Sequence, residues 1–317
     1  MKTRIILVSI VLICAGLSAQ TPLYLGYNPA IGGISMQART KLAFNPAKGE
    51  KYTYRYVADQ KTNQSFSGQD MQMNTVTEML WELNIKEKNG NEVSFDFIYK
   101  EIVMSITNPM MSFKIDSKNK NSSASDMEKL IANVLDCVIG KTLQVVVNSD
   151  GSVKSMTGYN AMSEEMQKIL SSANEMTRQM SNMLVQQAFS EESMKSSFEQ
   201  TFKIYPGKDV AAGDKWSYDF SSTVANMVTQ NANTYTLKSV NNDVALLDVA
   251  SVTNMKASEG MTGSGEMKGE SKGEIKLNAK TGMPVQSSTE GNTKGKLSMQ
   301  GMEISMDITT KITLLLQ

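Results

Sequence analysis

The stretch from Met255 to Leu277, MKASEGMTGSGEMKGESKGEIKL, decides the fold. Its odd positions are apolar or small: Met255, Ala257, Met261, Gly263, Gly265, Met267, Gly269, Ser271, Gly273, Ile275 and Leu277, with Glu259 the exception. Its even positions include Lys256, Glu266, Lys268, Glu270, Lys272, Glu274 and Lys276. Glycine and charge at this density are also the composition of a disordered tract. A disordered tract has no physical reason to keep its charges on one parity. The alternation therefore reads as strand, with one face toward a core and the other toward water.

Working outward, the tail reads as a hairpin. The apolar set lies on odd positions through Val285, Leu297 and Met299, then on even positions from Met302 through Ile304, Met306 and Ile308 to Leu316. A two-residue turn at Gln300-Gly301 keeps both sets on one face by pairing Met299 with Met302. A β-bulge flips parity as well. Toward the N-terminus the same alternation groups Tyr52, Tyr54 and Tyr56, then Met79, Trp81, Leu83 and Ile85, then Val93, Phe95, Phe97 and Tyr99. A membrane barrel fits poorly, because lipid would meet the charged face at about 2–4 kcal/mol for each mid-membrane Lys. A water-facing sheet with a covered inner face fits better.

The strands fall into two similar halves. Gly49-Glu50-Lys51-Tyr52-Thr53-Tyr54 corresponds to Gly213-Asp214-Lys215-Trp216-Ser217-Tyr218. Asn89-Gly90 and Asn148-Ser149-Asp150-Gly151 have counterparts, in the same order, in Asn241-Asn242 and Asn278 to Gly282. This predicts an internal duplication, with a first β-rich repeat over 42–158 and a second over 202–317. Between them, 159–201 forms a Met-rich helical insert. Helices are expected near 126–139, capped by Ser125, near 163–188, and near 191–202, capped by Ser190. The long helix presents Met166, Leu170, Ala173, Met176, Met180 and Met183 along one stripe.

The beginning of the chain resembles an export signal. Lys2 and Arg4 precede an apolar run from Ile5 to Leu17 and a Ser18-Ala19-Gln20 exit. Residues 1–19 are assigned to the signal and 20–41 to an extended segment. Cys14 raises lipid attachment, although Ile13 before it is larger than lipoprotein processing favours. No later apolar run has the length of a membrane helix. Removing Lys2 and Arg4 from 32 basic residues leaves 30 against 32 acidic ones. That balance offers no basic excess for nucleic acid. Cys137 is then the only cysteine, so an intramolecular disulfide is excluded.

The chain has no histidine. Ser-His-Asp and Cys-His catalysis and His-based zinc sites are thereby excluded, and no phosphate-cradling glycine motif stands between a strand and a helix. No cofactor is expected. A carboxylate pair acting on envelope glycans stays open. The 24 methionines have three readings: core packing, a pliable surface for an apolar ligand, or a soft-metal site. Candidate metal clusters are Met71-Gln72-Met73, Met110-Met111 and Met299 to Met302.

The Ser-Ala-Gln exit, the early Lys48-Gly49-Glu50-Lys51-Tyr52-Thr53-Tyr54 and the later Gly213-Asp214-Lys215-Trp216 resemble an uncharacterised family of secreted Bacteroidetes proteins. The resemblance covers essentially the whole mature chain and implies no activity. The inferred architecture is mainly β with α: long antiparallel strands in a curved sheet or incomplete barrel, with amphipathic helices on the concave face. It resembles periplasmic lipoprotein carriers in architecture only. The expected function is non-enzymatic binding of a lipid, a lipidated partner or another apolar ligand between sheet and Met-rich helix, at the periplasm, outer-membrane periphery or exterior. The expected lining is Met166, Leu170, Ala173, Met176, Met180 and Met183 facing Gly263, Gly265, Met267 and Gly269. A structural or protein-interaction module is the alternative.

Overall fold

The computed structural model describes residues 39–317, apart from 67, 110–111, 120–124, 176–177, 179–180, 183–184, 186–187, 225–226, 258–262 and 300–301. The expected signal segment and Cys14 lie outside the described residues, as do Met110-Met111. Strands β1 (Thr40–Lys41) and β8 (Asp209–Val210) form a short antiparallel pair. The remaining strands form one antiparallel sheet of twelve. Its first-half members are β2 (Lys51–Phe66), β3 (Gln69–Asn89), β4 (Glu92–Thr107), β5 (Ser112–Asp116), β6 (Thr142–Asn148) and β7 (Val153–Thr157). The second half supplies β9 (Lys215–Val224), β10 (Met227–Asn241), β11 (Val244–Ala257), β12 (Gly263–Asn278), β13 (Pro284–Met299) and β14 (Met302–Leu316).

The path through the sheet is β7-β6-β4-β3-β2-β14-β13-β12-β11-β10-β9, with β5 added beside β4. Each half is a run of hairpins, and the two runs meet where the last strand pairs with the first, Leu314 opposite Tyr56. The sheet is not closed: β7 and β9 are its edges. Helix α3 (Glu191–Phe202) packs against both. Its Glu192 carboxylate accepts from the Thr223 amide of β9 at 3.1 Å. At its other end, a Cβ on Gly151 of the β6–β7 turn would lie 1.7 Å from the Phe202 carbonyl oxygen. A helix thus covers two strand edges that would otherwise offer open hydrogen-bonding groups.

The stretch expected as one strand from Met255 to Leu277 is two. β11 ends at Ala257 and β12 begins at Gly263, with Met255 opposite Met267 and Lys256 opposite Glu266. Odd positions pair with odd positions across this hairpin. The five intervening residues lie outside the described ones; their odd number preserves parity, so alternation alone does not show where one strand ends and the next begins. The tail hairpin follows the predicted register, with Met299 opposite Met302. In β4 a shift beside Lys100 moves the buried set from Val93, Phe95 and Phe97 to Ile102, Met104 and Ile106, the parity change a bulge produces.

Helix α1 (Asp126–Asp136) starts at the predicted cap: the Glu128 amide donates to the Ser125 hydroxyl, and the Ser125 amide donates to Glu128 at 2.7 Å. It ends three residues earlier than expected, in a turn that leads to the left-handed Gly140. The expected helix 163–188 is corrected. Helix α2 (Tyr159–Ser171) begins four residues sooner, behind the left-handed Gly158, and stops at Ser171. Ser171 and Ser172 hydroxyls donate back to Lys168 and Ile169 carbonyls. Such back-bonding competes with continuation of the helix. Helical hydrogen bonding resumes where the Arg178 amide donates to the Asn174 carbonyl at 2.8 Å.

The Gly49 and Gly213 turns have the same geometry. Both glycines are left-handed. Their amides donate to Ile85 and Leu237 carbonyls across the sheet, at 2.9 and 2.7 Å. The Glu50 and Asp214 carboxylates accept from the amides of Ala47 and Ala211, three residues back.

Candidate functional site

The inner face of the sheet is layered, and register sets the layers. The base is aromatic and aliphatic. Phe198 and Phe202 of α3 meet Phe97 and Phe95 of β4, with ring centroids 4.9 and 5.5 Å apart. Phe44 joins them at 5.1 Å from Phe202. The buried face of α2, Met162, Met166 and Leu170, belongs to the same cluster. Tyrosine hydroxyls here are spent on backbone: Tyr54 donates to Pro284, and Tyr205 to Gly282, each at 2.8 Å. Burial raises the pKa of both hydroxyls.

The far end of the long strands holds a second apolar cluster. Met227, Met255, Met267, Leu297, Met306 and Ile308 are its buried members. Between the two clusters lies a belt of small, uncharged polar residues. In register it runs Asn233–Ser251–Ser271–Gly291–Thr310–Gln60–Thr75, one residue from each of β10, β11, β12, β13, β14, β2 and β3. Flanking rows add Thr62, Thr77, Asn231 and Thr289, all buried. Part of the belt bonds to itself: Gln60 Nε2 donates to Thr62 Oγ1 at 3.2 Å, and Thr253 Oγ1 to Asn231 Oδ1 at 2.7 Å. Three buried groups have no hydrogen-bond partner among the described residues: Thr75 Oγ1 in the belt, Ser287 Oγ beside Ile275 and Leu314 toward the base, and Gln64 Nε2 beside Met306 in the far cluster. Gln64, Thr75 and Ser287 are 9%, 4% and 2% exposed.

The inward row of β13 is unevenly exposed. On β13 the inward residues Thr289 and Leu297 are buried, whereas Gly291, Thr293 and Gly295 between them are half-buried. The glycines also admit close neighbours. A Cβ on Gly291 would lie 1.9 Å from Ser271 Cβ, and one on Gly269 would lie 2.2 Å from Thr293 Oγ1. Side chains of adjoining strands lean over the positions the glycines leave bare.

The predicted site residues divide between layers. Met166 and Leu170 are buried in the base, and Ala173 packs on its margin. Met267 is in the far cluster. Gly269 lies on the belt's flanking row opposite Thr253 and Thr293, and Gly265 pairs with Leu297. Gly263 pairs with Met299. Met176, Met180 and Met183 lie outside the described residues. Of the candidate metal positions, Met73 is buried in the base cluster. The belt itself is what sequence reasoning missed. Its signal was present: Ala58, Gln60, Thr62 and Gln64 continue the parity of Tyr54 and Tyr56, while Arg55, Asp59 and Lys61 occupy the other.

The electrostatics are simple. No Asp, Glu, Lys or Arg is buried among the described residues. The charged parity faces water and pairs across strands, as in Lys294–Asp307 at 2.8 Å and Lys296–Glu303 at 2.7 Å. Asp307 is held below the usual carboxylate range chiefly by its hydrogen bond to Lys294. Burial, and then the Glu165 carboxylate, push the Cys137 thiol up. The interior offers dispersion contacts and neutral hydrogen bonds.

Residues 90–284, or 284 − 90 + 1 = 195 of 317 positions, match a family of unknown function, DUF6263. The chain belongs to that family. The DUF6263 match runs from the β3–β4 turn to the first residue of β13 and takes in α1, α2 and α3. No curated protein matches the chain. Among solved structures, it is similar to a lipovitellin chain from a study of lipid–protein interactions in lipovitellin, at 10% identity and a TM-score of 0.43. That match covers 86% of this chain and 25% of the lipovitellin chain, so the DUF6263 chain spans about a quarter of its length. OccK5 (OpdH) of Pseudomonas aeruginosa matches at 6% identity and a TM-score of 0.24, over 86% of this chain and all of its own. The COG4313 outer membrane channel of Pseudomonas putida F1 matches at 6% identity and a TM-score of 0.18, over 91% of this chain and all of its own. Among the described residues no helix is long and apolar enough to cross a membrane.

Proposed function

We propose that this protein is a non-enzymatic, exported envelope protein that binds a lipid or other apolar ligand between its sheet and its helices. The observation that carries the reading is the neutral, layered interior. Two apolar clusters are separated by an uncharged belt, and Gly291, Thr293 and Gly295 along β13 are half-buried. Ligand sites of this kind are mostly apolar, with a few placed polar groups. A soluble sheet protein that only needed a core gains nothing from buried polar groups without partners.

A structural or protein-interaction module is the second reading. The filled glycine positions favour it, because side chains from β12 and β13 occupy volume that a ligand would need. Native mass spectrometry of protein purified from its own envelope separates the two readings, with lipid extraction alongside. The carrier reading expects co-purifying lipid that is lost in the Met176→Lys, Met180→Lys double variant while the thermal transition stays cooperative. Protein that is ligand-free from its own envelope, and that takes up no hydrocarbon probe, sinks the carrier reading. N-terminal mass spectrometry tests export: the mature chain should start near Gln20, and a lipid-modified Cys14 would instead make it membrane-anchored.

A further inference from the structure

The far cluster is chemically unlike the base. Among the described residues, methionine supplies four of its six buried members, Met227, Met255, Met267 and Met306, whereas the base is built mainly from Leu, Ile, Val and aromatic residues. We propose that these four thioethers form a binding site for a soft monovalent cation of the Cu(I) type. The inference goes beyond the apolar-ligand reading and does not depend on it.

Register, not sequence proximity, gathers the four. Met255 of β11 stands directly opposite Met267 of β12, and opposed residues on neighbouring strands have Cβ atoms about 4.5–5.5 Å apart. Met267 in turn faces Gly295 of β13, and Gly295 faces Met306 of β14. The glycine puts no side chain between the two methionines. A Cβ there would lie 2.9 Å from Met267 Cγ, so the Met267 arm leans over the strand that separates it from Met306. Met227 opens β10, two residues from Thr229, the cross-strand partner of Met255; long side chains span such a diagonal. In chain order the four are 7%, 1%, 0% and 4% exposed. Met227, at a strand end, is the one that meets water most.

The donor set selects the ion. Thioethers are soft, neutral ligands that suit Cu(I), whereas zinc takes thiolate, imidazole or carboxylate, and magnesium and calcium take oxygen. Among the described residues no group of three or more His, Cys, Asp and Glu could hold a metal ion. No carboxylate is buried with the cluster to offset a second positive charge, so a monovalent ion fits it better than a divalent one. Packing alone gives no reason for the choice of residue. A satellite core that needed only volume is specified better by Leu, Ile and Val, because methionine is a flexible gap-filler.

The test uses the full mature chain, metal-free, with Ag(I) as a redox-inert probe and Cu(I) delivered from the chelator bicinchoninate under ascorbate. One ion should bind per chain. With isotope-labelled methionine methyls, the resonances of Met227, Met255, Met267 and Met306 should shift together, and zinc should not compete. Cys137 is the rival soft ligand, so the same titration is run on Cys137→Ala. Met255→Leu, Met267→Leu and Met306→Leu conserve volume, a kind of swap that cores tolerate, so each thermal midpoint without metal should stay close to wild type. Altering groups that merely support metal ligands costs about 10–100-fold in affinity, so each loss of a thioether should weaken Ag(I) at least about tenfold. The Met255→Leu, Met267→Leu double variant should lose the site. Binding that survives Cys137→Ala and disappears in the double variant supports the proposal. Binding that persists in the double variant, binding that disappears with Cys137→Ala, or no binding of either ion overturns it and leaves the cluster as packing. Lipid co-purification is a separate readout, so either reading can fail without the other.

Discussion

Replacing Gly291 by Ala asks whether neighbouring side chains fill the bare glycine positions. The new Cβ would lie 1.9 Å from Ser271 Cβ, 2.7 Å from Ser271 Oγ and 3.0 Å from the Glu270 carbonyl oxygen. Overpacking of this kind costs about 1–3 kcal/mol. Loss of glycine freedom in the unfolded chain returns about 0.4–1 kcal/mol, leaving a net destabilisation of about 1–2 kcal/mol. Ser271 is the direct cross-strand partner, so Ser271→Gly removes both of the closest atoms. Alone, it should cost about 0.5–1 kcal/mol as a glycine in a strand. Combined with Gly291→Ala it should recover most of the first loss, a coupling of about 1–2 kcal/mol. Urea unfolding of the wild type, the two single variants and the double variant, at constant m-value, measures this cycle. The reasoning fails if Gly291→Ala is neutral, or if the two losses simply add. Either result would mean that the space above Gly291 is empty or is filled from elsewhere.

Gly151→Ala should be the most damaging of the turn substitutions, with a large drop in thermal midpoint or loss of soluble protein. Its Cβ would meet the Phe202 carbonyl oxygen at 1.7 Å in a left-handed backbone, whereas Gly213→Ala, left-handed in open space, should cost only about 1–2 kcal/mol. Glu128 is held below the usual carboxylate range, first by its hydrogen bond from the Ser125 amide. A depressed acid stabilises above its unfolded pKa and loses that contribution as pH falls through its folded pKa, so Glu128→Gln should flatten the acid limb of a thermal-stability profile. Cys137 is buried with its pKa raised by that burial. A thiol reagent should therefore label it only after denaturation, with one thiol per processed chain and two if Cys14 is retained. We propose that the two halves derive from one duplicated unit; on that reading Glu50→Ala and Asp214→Ala remove the same turn contact and should lower stability equally, within about 0.5 kcal/mol, in calorimetry.

Much of the fold was legible because a sheet with one wet face writes itself at period two. The charged parity of β12 and the tail hairpin could be placed from alternation alone. Where the reading failed, the pattern was degenerate. The β11–β12 turn spans an odd number of residues and leaves parity intact. The break at Ser172 to Asn174 falls within continuous helical periodicity, and only hydroxyl back-bonding at Ser171 and Ser172 betrays it. The candidate site was half legible. Met166, Leu170 and Met267 were singled out as inward-facing, and they are buried. Their partition into separate clusters was not readable, because it depends on which rows of a twelve-stranded sheet come into register. The belt went unseen for a simpler reason: polar residues on an inward parity look like strand filler until six of them and a glycine line up across seven strands.

That register also explains why helices stand where they do. In the second half, β13 is followed by β14, which turns back and hydrogen-bonds to β2. In the first half, the strand at the corresponding place, β7, is followed by helix, and no strand bridges it to β9 among the described residues. An open sheet that long leaves two unpaired edges, which invite pairing with other chains. Helix α3 lies along both, held by Glu192 at β9 and by the contact of its last residue with Gly151 at the β6–β7 turn. The segment after it continues the same work: the Trp216 indole and Tyr218 hydroxyl of β9 donate to the Ile204 and Tyr205 carbonyls at 3.0 and 2.5 Å. A covering helix differs from a strand in one physical respect. Its own hydrogen bonds are internal, so it can separate from the seam without leaving its backbone unpaired, whereas removing β14 would break a ladder running from Gln286 to Met299. The attachment of α3 to the seam rests instead on side chains, with Met194, Phe198 and Phe202 buried in the base.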